Sequence, residues 1–200
     1  MSSATESTPI ETTDTPLEVD FSLYKNPPWQ DKGAGFAVRA IWHVINAMFL
    51  QNPMNPSSKV KIILLRMFGA KVGKGVIIKP GVNIKSPWRT EIGDYSMIGE
   101  NAWLDSLTWI KIGKNVCISQ GAYLCTGNHD WSDKAFGLKE WTIVVEDGAW
   151  IGARANVLPG AQIATHAVIS AGSSISKPTE PYTIYAGNPA QAVKRRVIKP

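Results

Sequence analysis

The chain is 200 residues long, 44% hydrophobic and 18% charged, which suits one compact domain with appendages and excludes wholesale disorder. Its two cysteines, Cys117 and Cys125, form neither a disulfide framework nor a cysteine zinc site and read as free thiols. The formal charge is +5, yet residues 1–20 hold five acids and no Lys or Arg, so residues 21–200 carry a formal +10. Such a surplus favours an anionic partner: nucleic acid, an anionic membrane surface or a phosphorylated cofactor.

Residues 1–20 are rich in Ser, Thr, Glu and Pro and read as a flexible acidic tail. No basic region followed by an apolar core opens the chain, so a secretory signal is not expected and a cytoplasmic location is. Residues 21–71 read as a helical N-terminal segment. Phe36, Ala37, Ile41, Val44, Ile45, Met48 and Phe49 recur at helical spacing, and Asn52-Pro53 closes the run. Interrupted by Arg39 and His43, this helix is too short and too polar to span a bilayer. It is expected to cover the end of the main domain with its apolar face, with contact to a membrane surface as the alternative. A second short helix through Ile62 to Phe68 is capped by Ser57-Ser58 and ended by Gly69.

After Gly69 a six-residue beat begins. Aliphatic residues fall at Val72, Ile78 and Ile84, then Ile92, Ile98 and Leu104, then Ile112, Ile118 and Leu124, then Val145, Ile151 and Val157, then Ile163, Ile169 and Ile175. A small or β-branched residue usually follows four places later, as at Ser96, Ala102, Ala155 and Ala167. A period of six fits neither a helix nor a plain strand, but it does fit a short strand plus a corner, repeated. Three such units per turn give a parallel β-helix of about five triangular coils. The beat stops after Leu124 and resumes at Val145, 21 residues on where six would serve. The solenoid supplies rigidity, so this break is the natural place for chemistry.

Residues 72 to about 198 resemble the hexapeptide-repeat acyltransferases, and within them the colanic-acid-type exopolysaccharide O-acetyltransferases. The resemblance rests on the hexads and on the stretches LLRMFGAKVGKGVIIKP, YLCTGNHD and YAGNPAQAVKRR. It implies a left-handed coil, which the general preference for right-handed crossovers would not have given. It also implies a β-helix domain over residues 72–186 with an inserted loop at 130–144, followed by a basic C-terminal segment at 187–200.

The resemblance further implies an acetyl-CoA-dependent O-acetyltransferase with no metal, acting on a sugar or lipid-linked saccharide. A homotrimer is expected, with no nucleic-acid partner and with peripheral membrane contact left open. His129 would be the general base, since a neutral imidazole can take a proton from a sugar hydroxyl near neutral pH. Asp130, adjacent, or Glu140, later in the loop, would orient it or support the acceptor. Acetyl-CoA, as co-substrate, would lie along Trp150, Gly152, Ala153, Ala171 and Gly172, with Lys177, Asn188, Pro189 and Lys194 toward its adenine end. Asn128, Trp103 and Asp105 are the candidate acceptor contacts. Trp103 stands where the maltose and galactoside branch tends to carry an acceptor-binding Asn, so acceptor choice does not carry over from that branch. The remaining tryptophans suit either sugar and adenine stacking or packing at corners.

Two other readings use the same fold. A zinc-dependent carbonic anhydrase needs three histidine ligands, and the chain has only His43, His129 and His166, with His43 in the helical segment. A non-catalytic scaffold subunit would place no demand on His129. N-acetylation of an amino sugar would use the same donor and base.

Overall fold

The computed structural model describes residues 18–25 and 33–199; of the acidic tail expected over residues 1–20, all but Glu18–Asp20 lies outside them. After a 3-10 turn at Phe21–Leu23, helix α1 (Phe36–Ile45) runs into a π-helical turn at Asn46–Leu50 and is followed by α2 (Ser58–Met67). The Ser57 side chain caps α2 by accepting from Val60 N at 3.3 Å.

The coils then follow in order. The first contains β1 (Lys71–Val72), β2 (Ile77–Ile78) and β3 (Asn83–Ile84), and the second β4 (Thr90–Ile92), β5 (Met97–Ile98) and β6 (Trp103–Asp105). The third contains β7 (Ile110–Ile112), β8 (Cys117–Ile118) and β9 (Tyr123–Cys125). An antiparallel hairpin of β10 (Gly127–His129) and β11 (Leu138–Glu140) interrupts. The fourth coil contains β12 (Ile143–Val145), β13 (Trp150–Ile151) and β14 (Asn156–Val157), and the fifth β15 (Gln162–Ile163), β16 (Val168–Ile169) and β17 (Ser174–Ile175). A terminal hairpin of β18 (Thr183–Gly187) and β19 (Ala190–Arg195) ends the chain.

Like strands stack in parallel into three faces. The first is β1-β4-β7-β12-β15, the second β2-β5-β8-β13-β16-β18-β19 and the third β3-β6-β9-β14-β17. All fifteen aliphatic residues of the six-residue beat are buried inside this prism, none more than 9% exposed. Each contributes on the order of 1.5–3 kcal/mol of burial. Two corners of every coil turn through a left-handed residue: Gly75, Tyr95, Asn115, Gly148 and His166 at one, and Gly81, Asn101, Gly121, Arg154 and Gly172 at the next. The third corner carries the irregular chain, including a 3-10 turn at Pro87–Arg89 and the β10–β11 hairpin.

Two boundaries differ from the sequence expectation. The solenoid does not stop at about five coils: β18 pairs in parallel with β16, adding one strand of a sixth turn. Tyr185 takes the buried place there, opposite Ile169 and ten residues after Ile175, so an aliphatic beat of six could not register it. The insertion begins at Gly127 instead of 130, and Ile143 already pairs with Ile110 in the solenoid, so His129 stands on the hairpin itself.

The first coil has no coil beneath it, and its backbone edges need partners. The N-terminal helices provide them face by face. The Arg66 guanidinium donates to Val72 O at 2.7 Å on the first face. Ser58 Oγ donates to Ile78 O and accepts from Ile78 N, both at 3.1 Å, while Lys61 Nζ donates to Ile78 O at 3.3 Å on the second. On the third face, Trp42 Nε1 donates to Ile84 O at 2.8 Å and the Asn46 amide to Asn83 Oδ1 at 2.7 Å. Helix α1 thus does cover the solenoid end, but not with the stripe expected. Trp42, Asn46 and Leu50 face inward, whereas Phe36, Ile41, Val44 and Met48 are more than half exposed. The coil edge demanded hydrogen-bonding side chains, and the apolar stripe has none.

Lys61 is fully buried, and burial holds its ammonium below the usual lysine range. The unfolded chain therefore binds that proton more tightly, so this group makes stability rise with pH up to the ordinary lysine value near 10.4. Ser58 also satisfies the Ile78 carbonyl, so Lys61→Met is expected to fold and to flatten the alkaline rise. Urea midpoints of both proteins between about pH 7 and 10 test this. A variant retaining the wild-type slope would show that Lys61 does not carry it.

Candidate active site

The β10–β11 hairpin is clamped at its base. Trp141 N donates to Thr126 O at 2.9 Å, and the buried Thr126 hydroxyl donates to Asp105 O at 2.9 Å while accepting from Thr108 N at 3.1 Å. Its rungs pair Gly127 with Glu140, Asn128 with Lys139 and His129 with Leu138. Beyond them the tip folds on short-range bonds: Asp130 N donates to Gly137 O at 2.7 Å and Phe136 N to Asp133 O at 2.8 Å.

His129 is half-buried in this tip. Its ring stacks on Phe136, with centroids 4.5 Å apart and planes 13° apart, and its Nδ1 lies 2.9 Å from the Phe136 carbonyl oxygen. A carbonyl can only accept, so Nδ1 carries the proton and Nε2 keeps the lone pair in the neutral ring. Phe136 holds a positive φ of 52°, uncommon for a bulky residue, and that turn aims its carbonyl back along the hairpin. The N-terminal segment completes the nest: Phe21 meets Phe136 edge-on at 5.5 Å, Tyr24 lies 5.9 Å from the His129 ring, and Asp20 N donates to Lys134 O at 3.0 Å.

At Nδ1 the partner is thus a backbone carbonyl and not a carboxylate. Asp130 bonds Lys139 Nζ at 2.6 Å and Ser132 Oγ at 2.6 Å. Those hydrogen bonds, Lys139 foremost, hold its carboxyl down at about 2, where it is a poor base and a fixed anion tying the two hairpin strands. Glu140 lies 3.8 Å from Arg89, both side chains being nearly buried, and Arg89 also donates to Leu107 O. This couples the hairpin to the corner beneath it.

Beside Asn128 a groove of about 760 Å³ runs along the third face, lined by Tyr123, Gly127, Asn128, Trp141, Pro159 and Ser176 among others. Asn128 is exposed there, and its Oδ1 accepts from His129 N at 2.8 Å. Trp103 is 41% exposed and its ring lies 4.8 Å from that of Tyr123, tilted by 39°. Asp105 sits behind this pair: it is 8% exposed, with Lys85 Nζ 2.9 Å from Oδ1 and Tyr123 OH donating to Oδ2 at 3.0 Å. Burial, hydrogen bonding with Cys125 and the charge of Asp105 push the Tyr123 phenol well above its ordinary value, so it remains a donor. Asp105 therefore acts on the groove through Tyr123. Sequence reading passed over Tyr123; its place directly above Trp103 follows from the coil register.

The residues proposed for acetyl-CoA divide into two groups. Ala153 and Gly172 stack at one corner, with Gly172 N donating to Ala153 O at 2.9 Å, and the Asn188-Pro189 turn stands above, with Gly187 N donating to Ser173 Oγ at 3.0 Å. A Cβ on Gly172 would meet nothing within 4 Å, so this edge lies open alongside the exposed Ala171. Gly152 differs: a Cβ there would sit 2.5 Å from Ala171 N, so the next coil requires that glycine. Trp150 is 45% exposed on the second face and donates to Ser119 Oγ at 2.9 Å. Lys177 stands at the corner the hairpin rises from, and Lys194 pairs with Ile184 away from the Asn188 turn, so neither joins the open edge. The three histidines lie apart, His43 on α1, His129 on the hairpin and His166 stacked on Tyr182 at another corner. Among the described residues no three His, Cys, Asp or Glu side chains group as a metal site.

The bacterial transferase hexapeptide (six repeats) family matches residues 142–177, the fourth and fifth coils. WcaF of Escherichia coli (strain K12), named as a colanic acid biosynthesis acetyltransferase, is 35% identical over 178 residues, which are 89% of this chain and 97% of that protein. The structure of the hexapeptide-repeat-containing acetyltransferase VCA0836 from Vibrio cholerae superposes with a TM-score of 0.73 at 22% identity, over 80% of this chain and 90% of that one. A galactoside acetyltransferase in complex with coenzyme A gives a TM-score of 0.71 at 24% identity, over 80% of each chain.

The tautomer inferred for His129 is directly measurable. Long-range proton–nitrogen correlation spectra of the neutral ring are expected to show a protonated Nδ1 and a bare Nε2, and Phe136→Ala is expected to broaden or mix the two forms. The reverse tautomer in the wild type would refute the carbonyl as orienting partner.

Proposed function

The chain belongs to the hexapeptide-repeat acetyltransferases, in the company of WcaF and with their left-handed parallel β-helix, and on that premise we propose that it O-acetylates a sugar hydroxyl. The acceptor belongs to a cell-surface polysaccharide or its lipid-linked precursor, and the donor is acetyl-CoA. The observation that carries this reading is the His129 ring, with Nδ1–H fixed on the Phe136 carbonyl and Nε2 left as a base.

Acetyl-CoA supplies a thioester, an acyl group already activated toward attack. Nε2 of His129 takes the proton of the acceptor hydroxyl as its oxygen forms the new bond to the acyl carbon. As the carbon–sulfur bond breaks, the imidazolium returns a proton to the departing thiolate, so the ring ends as it began. Both substrates react while held together, and no acyl-enzyme is required. Tyr123, Asn128 and Trp141 in the neighbouring groove suit a sugar, offering hydroxyl and amide groups beside flat apolar surface. The open edge at Ala153, Ala171 and Gly172 suits the thin pantetheine chain, since small residues there leave the backbone accessible.

Within one chain that edge and the hairpin stand on different corners of the prism. A homotrimer closes the gap, with His129 of one protomer facing the open edge of the next in a cyclic assembly. Lys139, Ser132 and Arg89 keep Asp130 and Glu140 as struts of the hairpin on this reading.

Thiol release from acetyl-CoA is to be followed with sugar and amino-sugar acceptors. His129→Ala is expected to lose about 100- to 10,000-fold in turnover with its fold intact, and Asp130→Asn only a few-fold. Equal turnover by His129→Ala would remove the base, and preference for amino sugars would make the reaction N-acetylation. Coexpressing His129→Ala with Ala171→Trp, each inactive alone, is expected to restore about a quarter of the sites if they lie between protomers. No recovery would place each site within one chain.

A further inference from the structure

Charge and apolar surface coincide at the end of the solenoid remote from the terminal hairpin. Residues 33–90 contain nine Lys and Arg and not one Asp or Glu, whereas residues 91–200 contain ten of each. Of the nine, Lys71, Lys79, Lys85 and Arg89 pair with Glu91, Glu100, Asp105 and Glu140, and Lys61 is buried, which leaves Lys59, Arg66 and Lys74 as the exposed cations of this end outside those pairs. Helix α1 turns Trp42 and Asn46 toward that coil, and α2 turns Ser58, Lys61 and Leu65. Their opposite faces both point away from the solenoid, and there Phe36, Ile41, Val44, Met48, Ile63 and Met67 are each more than half exposed. A helix lying on a water-facing surface ordinarily presents polar residues outward; here the outer side of α1 offers His43 as its one exposed polar side chain.

We infer that this end of the molecule docks on an anionic lipid surface, with the outer faces of α1 and α2 in the interface and the surrounding Lys and Arg against the headgroups. No helix among the described residues is long and apolar enough to cross a membrane. An amphipathic helix with an apolar face and a cationic border lies in the interfacial plane, and each cation near an anionic bilayer adds to the attraction. Charge also argues against a second copy as occupant, since pairing this face with itself would set the exposed Lys59 and Arg66 of one copy against those of the other. The acidic residues 1–17 are mainly Ser, Thr, Pro and Glu and hold too little apolar surface to cover the stripe. Lys59 and Arg66, exposed on α2 beside Ile63 and Met67, border the apolar patch directly.

Cosedimentation of the full chain with vesicles tests this. Vesicles of equal phosphatidylglycerol and phosphatidylcholine are expected to bind it at least about tenfold more than phosphatidylcholine alone, with the excess lost in high salt. The double variant Ile41→Glu/Met48→Glu is expected to lower binding by about tenfold or more. These side chains are exposed, so its unfolding midpoint should match wild type. Lys59→Glu, which leaves the apolar stripe intact, is expected to lower only the preference for anionic vesicles. Equal binding to both lipids, or by wild type and double variant, overturns the inference. So does a native mass that falls in the double variant while no vesicle binds either protein, which would make the face a contact between copies. Vesicle binding involves no acetyl transfer, so it can fail while the enzymatic reading stands, and the reverse.

Discussion

Every strand in the five coils is only two or three residues long, and none could hold its shape alone. What holds them is the demand that each coil's backbone N–H find a carbonyl on its neighbour. Met97 N reaches Val116 O, Cys117 N reaches Ala149 O, and Trp150 N reaches Ala167 O, so one face is a ladder running through four coils. Aliphatic side chains fill the prism because that spacing brings like positions into register, and small residues such as Ala102, Ala122 and Ala155 are buried at the corners. The ladder has two ends, and they are treated differently. At the start, side chains of α1 and α2 stand in for a missing coil on all three faces; at the finish, β18 and β19 extend one face only.

The same ladder fixes the chemistry. Although the chain departs after Thr126 and returns at Ile143, Ile110 pairs with Ile143 and Ile112 with Val145 as if nothing intervened. The hairpin therefore rises between β9 and β12, each held in its own ladder. Its tip needs only local bonds to orient His129, and the carbonyl of Phe136 provides the orientation without a second titratable group. A backbone acceptor suits the base proposed for His129: it fixes the tautomer and carries no charge of its own to alter with pH.

How much of this was legible in the sequence follows from what carries each feature. The six-residue beat is a side-chain pattern, and every aliphatic residue in it is buried. The break after Leu124 marked the hairpin, since an insertion must interrupt the count. The orienting partner of His129 was invisible because a main-chain carbonyl has no residue type, and sequence reasoning turned instead to the nearest carboxylates, Asp130 and Glu140. The sixth turn was hidden by Tyr185 in an aliphatic position. Helix α1 misled for a further reason: apolar periodicity predicts burial only when the surface awaiting it is apolar, and the bottom of a β-helix is a row of unsatisfied backbone groups. Trp42 and Asn46 answer that row, leaving the apolar stripe outward.

The distribution of charge separates two tasks along the solenoid axis. Composition alone suggests that the surplus serves a phosphorylated donor through the basic C-terminal residues. Yet residues 91–200 are balanced, and Arg196, one of the terminal cations, spends its guanidinium on Gly148 O and His166 O. Donor recognition on the proposed reading must then come from contacts at close range along the open edge at Ala153, Ala171 and Gly172. At the other end Lys71, Lys79, Lys85 and Arg89 are paired with acids of later coils, and Lys59, Arg66 and Lys74 stand exposed outside those pairs beside the apolar face of α1 and α2. On the docking proposed above, α1 and α2 meet the anionic plane, and the hairpin, rising from a side corner between the third and fourth coils, stands beside that plane instead of pressed against it.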